Sequence, residues 1–184
     1  MDFLSAQDLQ EIRQILELPK IEVILKKRWG SENPSHREEI HGEVKKRMGQ
    51  LGPFFDASIA HTQSLGGFSF IQYPQESVIQ IGMDLEVIAR TQEATVQRVS
   101  SDNEYAAAPS PAALWVAKEA SFKSLKGPQQ PKTIGQLVIG DWKKHSSHIE
   151  TYSLLNIKDF KFASNQGLVL SKENHAFSLF VARA

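Results

Sequence analysis

The sequence predicts an α+β fold, an antiparallel sheet packed with helices, on three observations. Apolar residues recur at helical spacing near the N-terminus and again over residues 111–125. Short alternating or wholly apolar runs, bounded by turn-forming residues, read as strands. The character of the chain also changes part-way along, from a helical, basic lead-in to a strand-rich remainder. Two units are drawn from this: residues 1–77, an N-terminal α+β subdomain with a helical lead-in, and residues 78–184, a C-terminal α+β subdomain. No internal repeat or low-complexity segment stands out.

Composition narrows the function classes. The 184 residues fit one medium domain or two small subdomains sharing a core. Twenty-one basic residues balance twenty-one acidic ones, so no net field argues for nucleic acid or a membrane surface. Absence of cysteine excludes a disulfide framework, a thiol nucleophile and a thiolate zinc site, and it suits a reducing compartment. No apolar stretch is long enough to span a bilayer. Met1-Asp2-Phe3-Leu4 lacks the basic n-region of a secretory signal, so a cytoplasmic protein is the expectation.

Taken in order, Leu9, Ile12, Ile15 and Leu16 place a helix over Ser5 to Leu18, with Ser5 as N-cap and Pro19 as its stop. A second helix is expected from Ile21 to Trp29, carrying the basic run Lys26-Lys27-Arg28, and a third from Arg37 to Met48, stopped by Gly49 to Pro53. Ser58 to Ala60 and Phe68 to Tyr73 read as strands joined at Gly66-Gly67. In the strand Val78 to Val87, Ile79, Ile81, Met83, Leu85 and Val87 alternate with Gln80, Gly82, Asp84 and Glu86. One face is therefore apolar, and the other holds Asp84 and Glu86 roughly 7 Å apart. Gly82 is read as leaving open space for a ligand beside them. Such a pair is either a solvated strand face or a site for a hard cation, because Mg²⁺ takes one or two carboxylates together with substrate phosphates. The pair alone does not decide.

Ser110-Pro111 starts a helix over Ala112 to Leu125, and Gly127-Pro128 ends it. Trp115, Glu119, Phe122 and Lys123 share one face, which reads either as a surface ion pair beside aromatics or as a partly buried charged face completing the carboxylate site. Further strands are expected over Thr133 to Gly140, Ile149 to Ile157, Gly167 to Leu170 and Ala176 to Val181, with a turn at Asn165-Gln166-Gly167. Trp142-Lys143-Lys144-His145 reads as an exposed strand end or loop.

Ile81-Gly82-Met83-Asp84-Leu85-Glu86, followed by Trp115-Val116-Ala117-Lys118-Glu119-Ala120-Ser121-Phe122-Lys123, resembles the paired signature of the 4′-phosphopantetheinyl transferases. Ser58-Ile59-Ala60-His61-Thr62 resembles the Ser-His element of the larger, surfactin-synthetase-activating branch, and Arg98 to Tyr105, with Glu104, resembles the segment between the two signatures. The resemblance spans Ser58 to Lys126. It implies a pseudo-dimer of two α+β subdomains with the active site in the cleft between them. The activity implied is Mg²⁺-dependent transfer of phosphopantetheine from coenzyme A to a serine of an acyl or peptidyl carrier protein. By resemblance, Asp84, Glu86 and Glu119 are the metal ligands, Glu119 and Lys123 the catalytic pair, and His61, Thr62, Lys118 and Lys123 the coenzyme A contacts. No nucleic-acid or membrane partner is expected, and a monomer is. The chain departs from the pattern in three ways. Ala60 replaces a serine, with Thr62 as the candidate substitute; Gly52-Pro53 stands nearest to a Gly-Lys-Pro element but lacks the lysine; and the interval from Asp84 to Glu119 is short. The departures keep open a non-catalytic binder of coenzyme A or carrier protein, and the carboxylates keep open another Mg²⁺-dependent phosphate-ester enzyme.

Overall fold

The computed structural model describes residues 3–49, 54–75, 77–127 and 130–184. The chain runs α1 (Ala6–Ile15), β1 (Glu22–Lys26), α2 (Pro34–Met48), β2 (Phe55–His61), β3 (Gly66–Gln72) and β4 (Ile79–Val87). It continues through α3 (Glu93–Arg98), α4 (Asp102–Ala107), α5 (Pro111–Ser124), β5 (Ile139–Lys144), β6 (Ile149–Leu154), β7 (Ser164–Lys172) and β8 (His175–Arg183). Two antiparallel sheets result, one of three strands in the order β1-β3-β2 and one of five in the order β4-β8-β7-β6-β5. The fold is α+β, and no helix among the described residues is long and apolar enough to cross a membrane.

The helices start where their caps allow. Ser5 and Asp8 close a capping box on α1, and Ser110 accepts from Ala113 N at 3.1 Å ahead of Pro111 in α5. Residues 21–29, expected as a helix, form β1 and a 3-10 turn (Lys27–Trp29) instead. Val23 and Leu25 are buried while Glu22, Ile24 and Lys26 are half-buried, a period of two, and β3 supplies the pairing from Glu22↔Phe70 to Lys26↔Gly66. Gly66 and Gly67 lie inside β3 rather than in its turn, which spans residues 62–65. A Cβ on Gly67 would sit 1.8 Å from the Ile24 carbonyl oxygen, so glycine admits β1 there. Asn165-Gln166-Gly167 likewise belongs to β7, where the Asn165 side chain bonds both Leu154 N (2.7 Å) and Leu154 O (3.1 Å). The β7–β8 turn is Glu173-Asn174, both with positive φ, as a two-residue hairpin requires. Residues 133–140 hold a 3-10 turn (Ile134–Gln136) before β5 begins. Of the stop expected at Gly49 to Pro53, Gly49 caps α2, while residues 50–53, the Gly52-Pro53 element among them, and Pro128 lie outside the described residues.

One core underlies both sheets: Ile12, Ile15 and Leu16 of α1 pack with Leu25, Ala60, Ile81, Met83, Leu85, Leu168 and Leu179. On the opposite faces α2 covers the smaller sheet through Ile40 and Val44, and α5 covers the larger through Leu114, Val116, Ala117 and Ala120. The sheets meet where β2 lies beside β4, without a backbone ladder. Asp56 Oδ2 accepts from Ile81 N (2.7 Å), and Ser58 Oγ accepts from Met83 N (2.9 Å). α2 and α5 thus lie on the same side of this β2–β4 seam.

Gly82 is not open to a ligand. A Cβ there would stand 1.9 Å from the Ala120 carbonyl oxygen and 2.5 Å from Ser124 N, so glycine is what lets the α5 backbone settle on β4. Gly82→Ala should lower unfolding stability by about 1–3 kcal/mol through overpacking, read as a lower urea midpoint at unchanged slope.

Candidate functional site

Asp84 sits at the centre of β4, paired in register with Ser178 of β8, on the face that α5 covers. Only 7% of it is exposed. Trp115, Glu119, Phe122 and Lys123 are half-buried, as is Pro111, whereas the other residues of α5 are buried, so the shared face expected from the spacing is the partly exposed face of the helix. Lys123 Nζ donates to Asp84 Oδ1 at 2.6 Å. Glu119 lies close enough to raise the pKa of Asp84, and its own pKa is raised chiefly by burial, opposed by Lys123 and assisted by Glu86. Asp84, Glu119, Lys123 and Glu86 therefore form one interacting group.

Burial pushes the Asp84 carboxyl up to about 6, in spite of Lys123 and a hydrogen bond from the Leu85 N–H. Two neighbouring carboxylates with raised pKa values and one partly shared ammonium form an under-neutralised oxygen donor set, which fits a hard cation. Glu86 Oε1 accepts from Val87 N at 2.8 Å. Among the described residues no three carboxylates or histidines converge on one point, so the fit is that of Asp84 and Glu119 with oxygens of a ligand. A cavity of about 180 Å³, lined by Glu86, Arg90, Thr91, Thr95 and Trp115, opens beside this acidic face.

Across the seam, His61 ends β2 on the side facing α2. Burial lowers its pKa first, followed by the charges of Arg37 and His41 on α2 and Lys123 on α5. Burial and the neighbouring positive charge therefore disfavour the imidazolium form. Sequence reasoning did not single out Arg37 or His41, because their relation to His61 arises only when α2 packs on the smaller sheet. Asp56, Ser58 and Lys126 were also missed. Lys126 forms an ion pair with Asp56 and donates to Ala57 O at 2.9 Å, tying the end of α5 to β2. The available signal was that Asp56, Ser58 and Ala60 alternate along one strand face.

Two expected contacts lie elsewhere. Lys118 is fully buried on the far side of α5, 2.8 Å from Glu104 and bonded to Leu137 O, because helical geometry turns it from the face of Glu119 and Lys123. Burial works against the Glu104 carboxylate, yet hydrogen bonds from Lys118, Ser101 N and Ile139 N hold its pKa below the usual value. The Thr62 hydroxyl is occupied in its hairpin turn, donating to Leu65 O (3.2 Å) and accepting from Leu65 N (3.1 Å), so it does not substitute for the hydroxyl absent at Ala60. The run Lys26-Lys27-Arg28 leaves β1 at its end: Lys27 pairs with Glu173 at 2.6 Å and Arg28 with Glu39 at 3.2 Å.

No protein-family model matches the chain, and no curated protein matches it.

Lys118→Met should cost about 3–5 kcal/mol by stranding the Glu104 charge in the interior, measured by urea unfolding. Ligand affinity of the folded fraction should be unchanged. Asp84→Asn should act in the opposite sense. An acid whose folded pKa is raised has its favourable contribution in place below about pH 4, and loses it as pH rises through about 6. The variant should therefore be more stable than the parent above pH 6, by at most about 3 kcal/mol at 1.36 kcal/mol per pKa unit, with no advantage near pH 4. Thermal unfolding across that range checks it.

Proposed function

We propose that this protein is a Mg²⁺-dependent 4′-phosphopantetheinyl transferase, built as a pseudo-dimer in which two α+β units flank the active-site cleft. The observation that carries the reading is the meeting of Asp84 and Glu119 under Lys123, the residues that the two resembling segments supply. Further support comes from the layout: each unit has an antiparallel sheet with one main helix on its cleft side, and the edge strands β2 and β4 lie side by side.

Asp84 and Glu119 would hold Mg²⁺, with Glu86 at the margin. The ion, when bound, neutralises charge on the coenzyme A pyrophosphate. Glu119 accepts the proton of the carrier serine hydroxyl, a role that its raised pKa favours by bringing the base nearer to neutrality. The serine oxygen forms a bond to the phosphorus that bears pantetheine. The bond from that phosphorus to the oxygen of the adenosine-side phosphate breaks, and adenosine 3′,5′-bisphosphate leaves with the electron pair. Lys123, already at the seam, donates to the phosphate oxygens as negative charge grows on them. His61 donates to a phosphate of coenzyme A from the opposite wall. The partner is an acyl or peptidyl carrier protein, and the cavity beside Glu86 and Trp115 leaves room for its serine-bearing segment.

A non-catalytic binder is the second reading, favoured by Ala60, since no side-chain hydroxyl stands in for the missing serine. Intact-mass spectrometry of apo-carrier proteins separates the two. With coenzyme A and Mg²⁺ the carrier should gain the mass of phosphopantetheine, and EDTA should abolish the gain. Glu119→Gln should cut the rate about 10²–10⁴-fold while keeping the fold. Coenzyme A binding without transfer to any carrier would establish the binder instead.

A further inference from the structure

The seam between the sheets carries a separate inference. In β4 the N–H groups of Ile81, Met83 and Leu85 point away from β8, toward β2, and an edge strand left this way has unpaired donors. β2 supplies acceptors from its side chains at a matching stride of two: Asp56 to Ile81 and Ser58 to Met83. Ala60 is the third member of that row, opposite Leu85, and its side chain has no acceptor; the Leu85 N–H acts on the Asp84 carboxylate instead. Lys126 completes the junction from the end of α5, holding both the Asp56 carboxylate and Ala57 O, while its own N–H donates to Gln80 Oε1 at 3.0 Å.

These bonds fix how far β2 can slide along β4. A ladder would tolerate slip to another register, whereas two side chains of different length meet only the N–H groups they reach. We propose that Asp56 and Ser58, clamped by Lys126, are positioning residues that set His61 on the smaller sheet relative to Lys123 on the helix of the larger. His61 follows Ser58 by three residues on the same strand, so any shift of β2 moves the imidazole with it. Arg37 and His41 travel with the smaller sheet through α2, and Lys123 stays with the larger through α5. The influence of Lys123 on His61 therefore reports the seam and nothing else. This inference stands apart from the transferase reading, because its test needs neither coenzyme A nor a carrier.

The test is the NMR titration of the His61 imidazole, assigned by its absence in His61→Gln. In the parent protein it should titrate below the ordinary histidine value. Ser58→Ala, which changes no charge, should move it up by a few tenths of a pH unit as β2 retreats from Lys123, and Ser58→Thr, which keeps the hydroxyl, should restore it. Asp56→Asn also raises it if position governs. Charge alone predicts the reverse, since losing a nearby carboxylate lowers a histidine pKa. Lys123→Met should reproduce the upward shift with the seam intact. A His61 titration unmoved by Ser58→Ala in a folded protein, or lowered by Asp56→Asn, overturns the proposal. Should Ser58→Ala fail to fold, Asp56→Asn at its half-buried position carries the same decision.

Discussion

A carboxylate buried between a strand and a helix is an expense that the rest of the chain must offset, and Asp84 is that carboxylate. Desolvation disfavours its charged form strongly, and only an ammonium and one backbone N–H oppose it. The ammonium must come from close by, which requires α5 to lie on β4 at contact distance. That approach is possible because position 82 has no side chain. The same approach brings Glu119, one turn before Lys123, within range of its charge on Asp84, and the second carboxylate makes the first harder to ionise. A single constraint, α5 seated at Gly82, thus creates both the compensation and the surplus negative charge.

The surplus has a counterpart across the seam. Acidic groups gather on β4 and α5, while His61, Arg37 and His41 gather on β2 and α2, with Lys123 between them. Each side is electrostatically unfinished: burial, with a neighbouring acid, raises Asp84 and Glu119, and burial, with the charges of Arg37 and Lys123, lowers His61. A ligand combining an anion with a divalent cation relieves both at once, and neither ion alone does so. A pyrophosphate with its metal has that composition. The separation of charge across a junction of two sheets is the physical content behind the proposed chemistry, and it is independent of the resemblance that first pointed to it.

Much of this was legible in the sequence where a residue's role depends on its own element. The alternation in β4 put Asp84 and Glu86 on one face, and the spacing in α5 put Trp115, Glu119, Phe122 and Lys123 on another; both periods survive in the fold because each is a property of its own element. Residues whose role depends on a distant element were misread. Ile21 to Trp29 has the composition of a short helix or a strand, and only its pairing with β3 selects the strand. Gly67 and Gly82 signal a close approach without naming what approaches, and in both cases it is protein backbone rather than a turn or a ligand. Asn165 has the chemistry of a turn residue, yet it serves inside a strand because β6 offers it both a donor and an acceptor. The Asp56 and Ser58 bonds join two sheets more than twenty residues apart in sequence, and nothing local announces them.

The two lysines of α5 show why residue type alone cannot assign the site. Lys118 and Lys123 lie on one helix, and each pairs with an acid at under 3 Å. Glu104, the partner of Lys118, also receives the N–H groups of Ser101 and Ile139, and Lys118 itself reaches Leu137 O, so that pair is hydrogen-bonded on both sides and buried. Asp84, the partner of Lys123, lacks such a set of donors, has another carboxylate beside it, and Lys123 retains a third of its side-chain surface. The first pair is finished by the fold, and a ligand has nothing to add to it. The second is left incomplete on the partly exposed face of α5, and an ionisable group perturbed in that way is a candidate for binding where the first is not. Function on this helix is therefore read from the incompleteness of the Lys123 site, five residues beyond a lysine that the same motif marks equally.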